Sequence, residues 1–150
     1  MSTEMTAEQH HRTTTIIVAA MIMGVLLFAG VAWWTQSNQE TVREPMPVTH
    51  PLVLAWLLVA GGSIFGASYF RSSIVGRATR PGLGETSPKN SPAARQGRII
   101  IMWALIEGAC LMGLVIYFTY GVTQLFSAAI GYILVAAVIF FPRRSWFGLT

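Results

Sequence analysis

Few side chains in this sequence could do chemistry, and Glu107 stands apart from the rest. It lies near the middle of an apolar run, Ile99–Thr119, while the other acids, Glu4, Glu8, Glu40, Glu44 and Glu85, fall outside the apolar runs. An acid near the centre of a membrane span costs roughly 2.5–3.5 kcal/mol to insert, so such residues mark proton paths, ion sites or buried polar contacts. A lone carboxyl there can bind and release a proton. It can also donate a hydrogen bond as the neutral acid, the form favoured away from water. Proton carriage and polar packing are both open to Glu107.

Other chemistry lacks its parts. No HExxH, Walker or DxD pattern is present, and no second carboxylate shares the apolar run. Met21, Met23, Met102 and Met112 read as apolar filler rather than as soft metal ligands. The single cysteine, Cys110, has no disulfide or CxxC partner and reads as a small packing residue. His10 and His11 have no third ligand nearby, and the fragment Gly82-Leu83-Gly84 lacks the later glycine and strand of a nucleotide fold. No catalytic residue, metal site or cofactor is expected, and the chain reads as non-enzymatic.

The elements that must position Glu107 follow from hydropathy. The chain is 53% hydrophobic and 11% charged, where soluble domains carry about 25% charge. Four apolar stretches account for the deficit: 16–34, 52–70, 99–119 and 122–141. Each has about the length needed to cross a ~30 Å hydrocarbon core as a helix, and none alternates as a barrel strand would. The expected fold is all-α, a four-helix membrane bundle. Gly30-Val31-Ala32 loosely matches a signal-cleavage site, but the first run is long for a signal core and Trp33 and Trp34 follow. A retained span is expected.

Charge sets the orientation. Nine of the ten basic residues lie in the N-terminal tail, the middle loop or the C-terminal tail; only Arg43 lies on the other side. The positive-inside rule then places both termini in the cytoplasm, and the inner membrane is the expected location. The basic residues are explained as a topology signal, so nucleic acid is not an expected partner. Residues 1–15 read as a polar, mobile tail, 71–98 as a flexible basic loop rich in Pro, Gly and Ser, and 142–150 as a second cytoplasmic tail. That loop could touch anionic lipid heads, at about 1 kcal/mol per basic residue near the surface. Pro51 suits the first turn of span two, and Gly121 suits a helix end with positive φ. Trp33, Trp34 and Trp146 fit interfacial aromatic belts.

Helices in lipid associate where small residues allow close approach. Gly62-xxx-Gly66 in span two, and Ala104-xxx-Gly108 and Ala109-xxx-Gly113 in span three, are the candidate packing positions. They serve contacts within one chain or between copies of it. Matching depths at 1.5 Å per residue puts Glu107 about 3 Å to the cytoplasmic side of the midplane. Ser63 of span two and Tyr132 of span four share that level and are its candidate hydrogen-bond partners. No Lys, Arg or His does.

The stretch Ala93-Ala94-Arg95-Gln96, followed by Trp103-Ala104-Leu105-Ile106-Glu107-Gly108-Ala109 and on to Gly113-Leu114-Val115-Ile116-Tyr117, resembles the second helix of the rotary ATP synthase proteolipid, subunit c. In that family a cytoplasmic loop with an Ala-Arg-Gln element precedes a helix with a proton-binding carboxylate. The resemblance implies that Glu107 is an ion-binding acid. It covers residues 93–117. The family's first helix carries a dense glycine run where span two has Gly61, Gly62 and Gly66. Its loop is a tight turn, and it has no flanking spans.

The expected role is an accessory or interaction subunit of a membrane assembly, with Glu107 as a buried polar contact. The alternative is a proton-binding transport or proteolipid-like component. Expected partners are the lipid bilayer together with other membrane subunits or further copies of the chain.

Overall fold

A computed structural model describes residues 6–38, 47, 49–78 and 91–149, with side chains of the second helix described as far as Val75. The described residues form four α-helices: α1 (Ala7–Ser37), α2 (Pro51–Ala78), α3 (Pro92–Tyr120) and α4 (Thr123–Phe140). A single 3₁₀ turn, Arg144–Phe147, follows. The described residues contain no strand. All four helices are long and apolar enough to cross a membrane, so the protein is an all-α, multi-pass membrane protein.

Local sequence explains where the helices begin and end. Thr6 and Gln9 form a reciprocal capping box at the start of α1. The His50 ring nitrogen accepts the Leu52 N–H ahead of α2, whose first residue is Pro51. The Ser91 hydroxyl accepts the Ala94 N–H at the head of α3, with Pro92 in the first turn. At the other end of α3, Gly121 takes φ 72° and its N–H reaches the Tyr117 carbonyl at 2.7 Å, the left-handed cap that glycine accepts without strain. In α1, Thr14, Thr15 and Thr35 donate to carbonyls one turn back, which satisfies their hydroxyls inside an apolar helix.

The helices outrun the apolar stretches at one end of the bundle. α1 begins at Ala7, α2 continues to Ala78 and α3 starts at Pro92. The mobile tail expected over 1–15 is helical from Ala7, and the loop expected over 71–98 is helical at both flanks. Capped helices extend cheaply once nucleated, and polar sequence does not stop them. Residues 1–5 and 79–90, the centre of the expected linker, lie outside the described residues. The C-terminal segment is likewise packed: Trp146 and Phe147 are buried, and their turn touches α1, α2 and α3. Trp146 is thus a core residue here rather than a belt residue, while Trp33 and Trp34 remain exposed, as a belt requires.

Contacts tie this end together across helices. His10 Nδ1 lies 2.6 Å from Gln96 Oε1. Arg95 donates to the Trp146 carbonyl at 3.2 Å. His11 meets Phe147 edge-on, with ring centroids 5.4 Å apart. Arg144 and Glu8 approach to 3.9 Å on the surface, a separation and exposure that contribute little. At the opposite end, Gln36 donates to the Phe118 carbonyl and Trp33 packs against Phe126. α3 is the hub: it packs against α1, α2 and α4.

Candidate functional site: the outer stripe of α3

α3 touches three neighbours, and half of its apolar stretch is buried. Ile99, Met102, Trp103, Ile106, Cys110, Gly113, Leu114 and Tyr117 face inward. The remaining face carries Ile101, Ala104, Leu105, Gly108 and Val115, all exposed. Glu107 lies at the border of these two faces and is half-buried. Ala104, Glu107, Gly108 and Leu111 follow the spacing i, i+3, i+4, i+7, so they form one stripe along the helix. A Cβ added at Gly108 would meet nothing within 4 Å. Ala104 and Gly108 of this stripe are exposed, while Glu107 and Leu111 are half-buried.

Ser63 and Tyr132 do sit at one level, and they meet each other. The two hydroxyl oxygens lie 2.5 Å apart, and Ser63 also donates to the Ala60 carbonyl at 2.8 Å. This pair bridges α2 and α4. Neither group hydrogen-bonds to Glu107, which has no hydrogen-bond partner among the described residues. Both hydroxyls satisfy one another inside the apolar layer, as lipid-embedded polar groups must. Their depth was legible from helix rise, but their rotation toward each other was not.

The small residues divide into two groups. Gly66 backs onto Leu105, whose Cδ1 would lie 3.3 Å from an added Cβ. Ala109 is buried, and its carbonyl accepts the Trp56 indole N–H at 2.9 Å. Gly113 is the closest approach: an added Cβ would lie 2.6 Å from Trp56 Nε1 and 3.3 Å from the Ala129 Cβ. Gly62, Ala104 and Gly108 are exposed instead, with no neighbour to meet a Cβ at either glycine. A small-xxx-small pair says that two positions share a face. It does not say which face meets a neighbour.

Two tryptophans join helices through their indole N–H groups. Trp56 Nε1 donates to Ala109 and Trp103 Nε1 to the Phe140 carbonyl at 3.1 Å, each bond joining two helices. Their position about one turn inside the spans was the available signal, since a buried indole N–H needs an acceptor. Cys110 is fully buried, with its sulfur 3.7 Å from the Ala129 carbonyl. Among the described residues, no three His, Cys, Asp or Glu gather into a metal-holding group. No protein-family profile, curated protein or solved structure matches this chain.

Proposed function

We propose that this protein is a non-enzymatic subunit of a larger inner-membrane assembly, and that the outer stripe of α3 takes a transmembrane helix of another subunit. Glu107 then supplies a polar contact across that interface. The observation that carries this role is an acid near mid-span, half-buried, and without a hydrogen-bond partner among the described residues. Left facing lipid, such a group is costly. A docked helix with a hydroxyl, amide or carbonyl at that depth removes the cost. The exposed Ala104 and Gly108 beside it allow the backbone approach that lipid-embedded helices use.

Substitution separates this role from proton carriage, which the resemblance to subunit c would favour. Glu107→Gln keeps the shape and the hydrogen-bonding capacity but cannot titrate. For a packing contact, Gln should preserve both assembly and cellular activity. Glu107→Ala should weaken assembly by about 1 kcal/mol, the typical worth of an interhelical hydrogen bond in lipid. Loss of function in Gln with assembly intact would replace the contact role with a proton-binding one. If Gln, Ala and Lys all match the wild type in assembly and growth, Glu107 has neither role.

Orientation is tested separately. The charge distribution supports cytoplasmic termini. A cysteine probe at Asn38 should react with an impermeant reagent applied to intact cells, whereas one at Ser87 should not. The reverse pattern would overturn the orientation.

A further inference from the structure

We infer that α2 carries a binding site for the phosphate of an anionic phospholipid where it leaves the apolar layer. Ser68, Arg71, Ser72 and Val75 line a cleft of about 320 Å³. They follow the spacing i, i+3, i+4, i+7 and so share one face of the helix. The cleft presents a cation and two hydroxyls, the groups that bind a phosphate.

Depth selects the ligand. From Gly61, the centre of the apolar run, to Arg71 is about 15 Å of helix rise. That is half of a ~30 Å hydrocarbon core, so Arg71 stands at the level of lipid head groups. The guanidinium is held in place: its Cζ lies 6.0 Å from the centroid of the Phe140 ring, within cation–π range. Among the described residues no carboxylate pairs with it. Its charge and forked donors are available to a phosphate, which guanidinium grips with two parallel hydrogen bonds. Ser68 is exposed on the same face. Ser72 donates to the Tyr69 carbonyl at 2.8 Å, a bond that a rotamer change exchanges for a phosphate oxygen. Arg143 and Arg144 are exposed at the same end of the bundle, and the turn that Arg144 opens touches α2. Neither of them lines the cleft, so the preference for an anionic over a zwitterionic lipid rests on the Arg71 charge. This site is independent of the α3 stripe and of any role for Glu107.

Native mass spectrometry tests it on the full chain, released from bilayer discs holding equal phosphatidylglycerol and phosphatidylcholine. The wild type should retain phosphatidylglycerol about fivefold more often, the preference one basic residue supports. Arg71→Gln should bring retention to near parity, Arg71→Lys should keep part of the preference, and Ser68→Ala with Ser72→Ala should lower it. Arg12→Gln, exposed on α1, should leave it intact. Helical content by circular dichroism checks each fold; if Arg71→Gln unfolds, the lysine and double-serine variants decide. Equal retention of both lipids by the wild type overturns the site, as does an Arg71-independent preference or an equal loss in Arg12→Gln. A thermal shift with inorganic phosphate in lipid-free detergent separates the sources. An Arg71-dependent shift without a lipid preference would assign the cleft to a soluble phosphate and overturn the lipid.

Discussion

Trp103→Ala is expected to destabilise the bundle by about 3–5 kcal/mol, the range for deleting a buried tryptophan side chain. Trp103 is wholly buried on the hub helix, in the apolar cluster shared with Val18, Ile106, Ile133 and Phe140. Its removal leaves a large void that neighbouring helices can close only in part. It also removes the donor to the Phe140 carbonyl. Phe140 is the last residue of α4, so its carbonyl has no acceptor role left within the helix ladder. Trp103→Phe isolates this second effect, since much of the ring volume remains and the N–H does not. It should cost about 1–3 kcal/mol, the penalty for an unsatisfied buried acceptor. Equilibrium unfolding in mixed detergent micelles measures both. A loss under 1 kcal/mol for Trp103→Ala would show that this contact is not central to the bundle.

Gly113→Ala is expected to cost about 1–3 kcal/mol through overpacking. One methyl group there must displace an indole that is already fixed, because Trp56 Nε1 is bonded to the Ala109 carbonyl one helical turn away. Retreat from the new Cβ strains or breaks that bond. On the far side the Ala129 Cβ stands 3.3 Å away, so α4 cannot be ignored either. Trp56→Phe in the same chain should relieve part of the clash, giving a non-additive double mutant. Gly62→Ala is the control: its Cβ enters open space, and alanine favours helix over glycine by about 1 kcal/mol. Unfolding in the same micelles compares them. Equal stabilities for the two alanine variants would rule out the close approach at Gly113.

Much of the fold was legible in one dimension. The four spans, the αL cap at Gly121 and Pro51 at the head of α2 follow from hydropathy and from the backbone preferences of single residues. The helical flanks were not legible, because polar composition was read as disorder. Capping at Thr6 and Ser91 is local and lies in plain view, yet whether a capped polar helix persists depends on what it packs against. Here the C-terminal turn supplies that surface: Trp146 and Phe147 are buried between the flanks, with Arg95 and His11 holding them.

The candidate site divides in the same way. Sequence alone determines that Glu107 is the one acid inside an apolar run, and helix rise determines its depth and that of Ser63 and Tyr132. Tertiary structure decided that those two hydroxyls bond to each other and that Glu107 stands at the border of the exposed stripe. It likewise decided that Gly113, rather than Gly62 or Gly108, is packed tightly against side chains of neighbouring helices. The physical reason is that depth in a bilayer adds up residue by residue along the chain. The direction a side chain points depends on how each helix is rotated and crossed against its neighbours. That rotation is set by the fit of bulky groups such as Trp56 and Trp103, which belongs to the packed bundle and not to any one span.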